Sequence, residues 1–540
     1  MIRIISFFVI SIFVSDLNAQ TIRWADENPN LLLKPYEVFV RNENKIQILS
    51  KHQNGEQCFV STWDDSLRVL DFNNLRFNKE KPMRMLHAIE HPITNQTFFL
   101  LTHFENESKS HQFYLLEFDD KGKIVGDLNL IFSIQAEKKA SFTLNMSYSP
   151  NKSNIALVIH KVENSNRTSL EDFHSYIALL DSNMKIKFKK KYTMPNLASK
   201  VEYVYHWLSD NGTMLYYYKL DKKGTSAFSS GPEFINKFLI VNNQGQTINE
   251  LAIEESEKFF TDFKVYPSEN NFLIGGFYSN EDKRSSLQGI SIFEIDLQEG
   301  KIVNSRSISF NSNFYHRVTG SQNASKNELK GISNTYKIVD FKISGEGNAI
   351  FVAEKFDRQI EYINQSPVGF YGFGMRDVDY TYVYSWGDIL TFSVSLQSEI
   401  LWTNLYRKKQ VLESQNWISS YDFYNRNYLA DILPVSIYTK LVGNELNVIF
   451  NDAKNNYENQ MSEDSSSKFK VMALRDFRDS RTYLYNINLS NGDEVIEAFF
   501  EDAYKLGYVI FPKLSKRIDA NQLIIYGKNA KSERIGLIQF

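Results

Sequence analysis

One cysteine, Cys58, occurs in the 540-residue chain, so no intrachain disulfide can form and no cysteine cluster can hold a metal. Stability must therefore come from burial of apolar side chains. Charge of one sign is also scarce: 61 Lys and Arg against 64 Asp and Glu leave a formal net charge of −3. That balance gives no electrostatic case for nucleic acid or anionic lipid as a partner. Long apolar runs are missing, with one short exception at the start. The chain opens Met1-Ile2-Arg3, continues IISFFVISIFV and then reads SDLNAQ. One positive charge, a short apolar core and the small residue Ala19 describe a secretory signal peptide over residues 1–19, cut before Gln20. The run is too short to span a bilayer comfortably, and no later run is longer. The expectation is an exported chain, periplasmic, cell-surface or extracellular, with no transmembrane segment after cleavage.

Catalytic signatures are sparse as well. There is no Gly-x-Ser-x-Gly elbow, no glycine-rich phosphate loop and no EF-hand loop. His87-Ala88-Ile89-Glu90-His91 matches a zinc-peptidase pattern, but that chemistry needs both histidines on one face of a helix. Here the segment reads as a strand ending at Pro92, where the two histidines would stand about 13 Å apart at about 3.3 Å per residue. Neither a metal nor a cofactor is expected, and the reading favours a non-catalytic protein.

What the chain does contain is a recurring unit of four short strands, clearest over residues 142–195. Phe142, Leu144, Met146 and Tyr148 alternate with polar residues, as in a half-buried strand. Ser149-Pro150-Asn151-Lys152 breaks the run, and IALVI at 155–159 reads as a strand buried on both faces. Tyr176-Ile-Ala-Leu-Leu then approaches the turn Asp181-Ser182-Asn183. The last strand, MKIKFKKKY, reads as an outer edge whose lysines discourage edge-to-edge pairing. The turn between the first two strands recurs in HWLSDNGTMLYYY, KVYPSENNFLIGGF and FKISGEGNAIFVAE. The later hairpin recurs in LLEFDDKGKIV, FLIVNNQGQTI and IFEIDLQEGKIV.

Such units, stacked radially, describe an all-β protein, a β-propeller of four-stranded antiparallel blades. The turn pattern resembles the repeats of bacterial periplasmic Tol-type propellers and of the propeller domain of prolyl oligopeptidases. The resemblance implies fold only. First strands are expected near residues 45, 84, 142, 201, 260, 336, 434 and 507, which favours eight blades, with seven as the alternative. An N-terminal strand should close the ring, and Tyr36-Glu-Val-Phe-Val is free to be that strand. Residues 20–540 are then one propeller domain.

Two kinds of connection are short throughout, first-to-second and third-to-fourth. The long ones are second-to-third within a blade and fourth-to-first between blades, which strand alternation places on a single face. Four insertions fall there, at about 310–335, 356–387, 407–433 and 453–480, the last polar enough to remain mobile. The second carries Tyr362, Phe370, Tyr371, Phe373, Tyr380, Tyr382, Tyr384 and Trp386, together with Arg376, Asp377 and Asp379. Trp417, Tyr421 and Tyr424 form a second aromatic group on the same face. Two roles are open to these side chains. They pack the insertion onto its own blade, with YTYVY as an extra ribbon, or they form a binding rim for a protein, peptide or glycan partner. The alternative is a propeller hydrolase or lyase acting on polysaccharide at the channel mouth, with paired carboxylates. The terminal RIGLIQF also raises an outer-membrane β-barrel, against which the doubly buried runs IALVI and FLIGGF argue.

Overall fold

The computed structural model describes residues 21–25, 34–40, 45–51, 57–77, 82–90, 96–119, 123–138, 140–162, 172–194, 201–221, 234–255, 257–268, 270–280, 286–320, 331–362, 380–395, 397–413, 435, 437–461, 471–476, 479–498, 508–518, 522–529 and 532–539. They form an eight-bladed β-propeller, each blade an antiparallel sheet whose strands pair in chain order. Blade one comprises Lys34–Val40, Ile46–Lys51, Gln57–Trp63 and Val69–Arg76. Blades two to seven span 84–135, 141–194, 201–253, 258–309, 336–406 and 438–498. Blade eight is composite. Val509–Ile510, Gln522–Lys528 and Glu533–Gln539 come from the end of the chain, and Thr21–Trp24 supplies the fourth strand from its beginning.

An N-terminal strand thus closes the ring, but not the one the sequence suggests. Thr21 stands opposite Gln539 and Trp24 opposite Gly536, whereas Lys34–Val40 is the first strand of blade one. The first blade accordingly begins near residue 34 rather than 45. Val38 and Phe39 explain the placement, since both are buried and need cover on two faces, which an outer closing strand lacks. The four-residue run Thr-Ile-Arg-Trp is too short to announce a strand by periodicity.

The recurring turn has one physical basis. In four successive blades a serine at the end of the first strand accepts the backbone N–H of the residue that opens or precedes the second. Asn154 N donates to Ser149 Oγ at 3.0 Å, Thr213 N to Ser209 Oγ at 3.1 Å, Asn271 N to Ser268 Oγ at 3.2 Å and Asn348 N to Ser344 Oγ at 3.1 Å. Side-chain acceptors of this kind satisfy turn amides that a ladder cannot reach. The hairpins between third and fourth strands, on the same face, use Asp or Asn the same way: Asp181 accepts from the amides of Asn183 and Lys185, and Asn242 from those of Gln244 and Gln246.

Neighbouring blades are joined by polar bonds at their ends and by aromatic packing between. Asn151 N donates to Asp210 Oδ1 at 2.7 Å, tying the turns of blades three and four. The lysines of MKIKFKKKY do more than guard an edge: Lys189 Nζ donates to Ile131 O of blade two, and Lys190 Nζ to Gly245 O of blade four. In blade six, Phe351 stacks between Phe341 and Phe392 at centroid distances of 4.6 and 5.0 Å. The ring of Phe351 also covers Gly275 of blade five, where a Cβ would sit 2.4 Å from its Cε1. Close packing of this kind leaves no room for an added methyl.

Among the described residues two short α-helices interrupt the all-β pattern, both in insertions: α1, Ser312–Thr319, and α2, Lys454–Met461. The second lies in the stretch expected to be mobile, and its Asn456 is buried. Among the described residues no helix is long and apolar enough to cross a membrane. His87 lies on the strand Arg84–Glu90 with Glu90 paired to Lys516, which removes the helical context a zinc-peptidase motif needs; His91 lies outside the described residues.

At the boundary of blades three and four, His206 is fully buried and His160 half-buried, and burial holds both imidazoles down at about 4. Because the unfolded chain protonates near 6.5 and the folded chain near 4, their contribution is fully present above pH 6.5. It is lost as pH falls through that window, by about 3 kcal/mol for each histidine. Replacing both with Gln should therefore flatten the acid slope of the denaturant midpoint between pH 6.5 and 4; an unchanged slope would contradict this assignment. Gly275→Val should lower stability by about 1–3 kcal/mol through overpacking against Phe351, read as a fall in thermal midpoint.

Candidate functional site

Strand alternation brings the described parts of the insertions to one face, and three of them border a cleft of about 450 Å³. Val318 and Thr319 of α1 and Gly331–Ser333 line it from the connection between blades five and six. Blade six contributes Tyr336, Lys355 and Asp388 from its first three strands, and Arg407 follows its fourth. Val471 enters from the insertion of blade seven.

The polar groups of the cleft are arranged around one ion pair. Lys355 Nζ lies 2.5 Å from Asp388 Oδ2 and 5.2 Å from the centroid of the Tyr336 ring. Gly387 makes this approach feasible, since a Cβ there would stand 2.9 Å from Lys355 Cβ. Tyr336 is fully buried; its hydroxyl faces Asp388 but stands outside hydrogen-bond geometry. Burial, and after it the charge of Asp388, push that hydroxyl well above the usual tyrosine range against the opposing charge of Arg407, so it remains a proton donor at neutral pH. The backbone of Arg407 is fixed from α2, where Gln460 Oε1 accepts its N–H at 2.7 Å and Gln460 Nε2 donates to its carbonyl at 3.0 Å.

Next to the cleft in sequence lies a buried polar network joining blades six, seven and eight. Lys408 Nζ, fully buried, contacts Glu354 Oε1 at 2.5 Å and Gln410 Oε1 at 2.6 Å. Gln410 Nε2 donates to Asn451 O, and Asn451 Nδ2 donates to Ile510 O at 2.7 Å. Asp452, adjacent on the same strand, accepts from Asn456 of α2 at 2.9 Å and from the Tyr406 hydroxyl at 3.2 Å. Burial pushes the Asp452 carboxyl up to about 7, despite the hydrogen bonds from Asn456 and the Ala453 backbone and the charge of Lys408. Burial likewise raises Glu354, with Lys408 opposing the shift. The network anchors the insertions to the blades.

The residues singled out from sequence are distributed unevenly around this site. The second and third strands of blade six, Ala349–Tyr362 and Tyr380–Val394, extend as a ribbon in which Tyr362 stands opposite Tyr380 and Ile360 opposite Tyr382. Gln410–Glu413 adds a further strand alongside Val383–Trp386. Tyr384 and Trp386 are 3% and 7% exposed and pack with Phe356, Leu412, Leu474 and Val509, so these two serve the packing role. Phe370, Tyr371, Phe373, Arg376, Asp377, Asp379, Trp417, Tyr421 and Tyr424 lie outside the described residues. Tyr336, Lys355, Asp388 and Arg407 escaped the sequence reading. One signal was available: Glu354-Lys355 and Asp388 put charges in the middle of long apolar strands, where exposure cannot excuse them.

No family model and no curated protein sequence matches the chain. Solved structures similar to it include Sqt1 of Saccharomyces cerevisiae, at 8% identity over 95% of this chain and 97% of that one, TM-score 0.40. A europium-containing methanol dehydrogenase matches at 8% identity over 96% and 93%, TM-score 0.42. A prolyl endopeptidase matches at 9% identity over 78% of this chain and 54% of that one, TM-score 0.32. Likeness of this degree speaks to neither partner nor activity.

Lys408→Met should cost about 3–5 kcal/mol, because it strands Glu354 in the interior without its cation. The double variant Lys408→Met/Glu354→Gln should recover much of that loss in thermal midpoint, whereas no recovery would mean that the pair is not coupled.

Proposed function

We propose that this protein is an exported, non-catalytic binding module that engages a protein, peptide or glycan through its insertion-bearing face. One observation carries the reading: parts of three insertions converge on a single cleft lined by charges of both signs and anchored by a buried network. Concave sites with a few oriented polar groups are where ligands bind. The opposite face supports the contrast, since its turns are short and occupied by their own Ser, Asp and Asn hydrogen bonds. A polysaccharide hydrolase or lyase would need two carboxylates facing one substrate. Among the described lining residues Asp388 is the one carboxylate, and Lys355 holds it.

Immobilised wild-type chain and two charge-reversal variants, each checked for an unchanged thermal midpoint, test the proposal on cell-envelope extract. Lys355→Glu, at the cleft, should reduce partner capture about tenfold, and Lys185→Glu, at an exposed hairpin of the other face, should leave it intact. Equal capture by both variants would move the binding surface elsewhere.

A further inference from the structure

The near balance of charge over the whole chain conceals a local imbalance on the side wall of the propeller. The fourth strand of blade three, Ile186–Met194, carries Lys187, Lys189, Lys190 and Lys191, all exposed. Edge protection does not account for them. The fourth strands of blades two, four, six and seven, IVGDLNLIFSIQ, TINELAI, ILWTNLY and EVIEA, hold the same outermost place without a lysine or arginine. The four ammoniums are met by uncharged groups. Lys187 Nζ donates to Asn154 Oδ1 at 2.6 Å, Lys189 Nζ to Ile131 O at 3.2 Å and Lys190 Nζ to Gly245 O at 2.9 Å. Lys191 Nζ stands 5.8 Å from the centroid of the Tyr176 ring. Such partners orient an ammonium and leave its charge uncancelled. They belong to three blades, so the positive charge is spread along the wall from blade two to blade four. On the flanking fourth strands, Glu250 of blade four is already paired with Lys237, and Asp127 is the one carboxylate on that of blade two.

A second observation bears on what the lysines meet. Six of the eleven large apolar side chains exposed among the described residues lie on the two preceding fourth strands, Val69, Leu70 and Phe72 on blade one and Ile124, Val125 and Leu130 on blade two, each 41–53% exposed. The bond from Lys189 to Ile131 O sets the lysines directly beside Leu130. A soluble polyanion has no use for apolar side chains. An anionic bilayer takes both, ammoniums at the headgroup phosphates and aliphatic groups at the acyl boundary.

We propose that the side wall of blades two and three docks on a bilayer containing anionic lipid. Lys187, Lys189, Lys190 and Lys191 meet the headgroup phosphates, and Ile124, Val125 and Leu130 enter the interface beside them. The propeller then lies on its side, with the insertion-bearing face open alongside the membrane rather than pressed against it. This surface is separate from the cleft, so each of the two readings stands or falls by its own test.

Co-sedimentation of the chain from Gln20 onward with lipid vesicles tests this, residues 1–19 being left out because their apolar run would bind lipid by itself. Vesicles of phosphatidylcholine with about 30% phosphatidylglycerol should bind the chain at least about tenfold better than phosphatidylcholine alone. Raising the salt from about 0.1 M to about 0.5 M should remove most of that gain. The triple variant Lys189→Gln/Lys190→Gln/Lys191→Gln should weaken binding at least about tenfold. The corresponding triple arginine variant, and Lys301→Gln on the fourth strand of blade five, should retain it. Val125→Asn/Leu130→Asn should weaken binding several-fold with the lysines untouched. Equal binding of the unaltered chain to neutral and anionic vesicles overturns the proposal without recourse to any variant. So does full binding by the glutamine variant. Inorganic polyphosphate that binds as tightly as the anionic vesicles, with no effect of Val125→Asn/Leu130→Asn on either, would assign the lysines to a soluble polymer and overturn the bilayer.

Discussion

Antiparallel pairing of an even number of strands is the constraint on which the rest of this molecule depends. Four strands per blade return the chain to the side from which it entered, so each blade offers two tight reversals on one face and two free connections on the other. The tight face is committed. Its serines and carboxylates are consumed by turn amides, and its tips touch neighbouring blades, as Asp210 touches Asn151. Growth there would break bonds in two blades at once. The other face carries no such debt, and the added ribbon, α1 and α2 all sit on it.

Growth on that face still needs an anchor, and the sequence answers with buried charge. A fully buried lysine would ordinarily be ruinous, but Lys408 meets Glu354 and Gln410 together, which offsets desolvation through several hydrogen bonds. The chain passes directly from Arg407, in the cleft, to Lys408, in the interior. Asp452 is linked to α2 through Asn456 and to blade six through Tyr406, so the insertion of blade seven is held by groups whose ionisation responds to burial. Asp452 and the two histidines between blades three and four pull in opposite directions on acidification. Protonation suits the buried carboxyl, whose stabilising effect fades as pH rises through about 7, while it opposes the neutral imidazoles.

Much of the fold was legible because it is written several times. IALVI, the Ser-led turns and the Asp or Asn hairpins each repeat with the same local chemistry, so one clear copy interprets the blurred ones. Periodicity also favoured eight blades over seven, and eight are present. What resisted reading was whatever occurs once. Thr21–Trp24 becomes a strand only because Glu533–Gln539 waits for it, a pairing no local pattern encodes. Tyr384 and Trp386 look like rim aromatics, since composition alone does not distinguish a ring facing solvent from one facing Leu412 and Val509. Lys355 and Asp388 are ordinary charges until the register of two strands brings them to 2.5 Å.

Closure of the ring has a consequence for how the molecule comes to exist. The bond between Ala25 N and Ile535 O, at 2.9 Å, joins nearly the first described residue to nearly the last. Blades made early can form their own sheets, but blade eight has no fourth strand until both ends are present together. Contacts this remote are slow to form, because a long loop must close before they reward the chain. A nascent chain is therefore an open arc with two exposed blade flanks, vulnerable to proteases and to pairing with another copy. Only the arrival of the final strands converts it into a circle with no loose end.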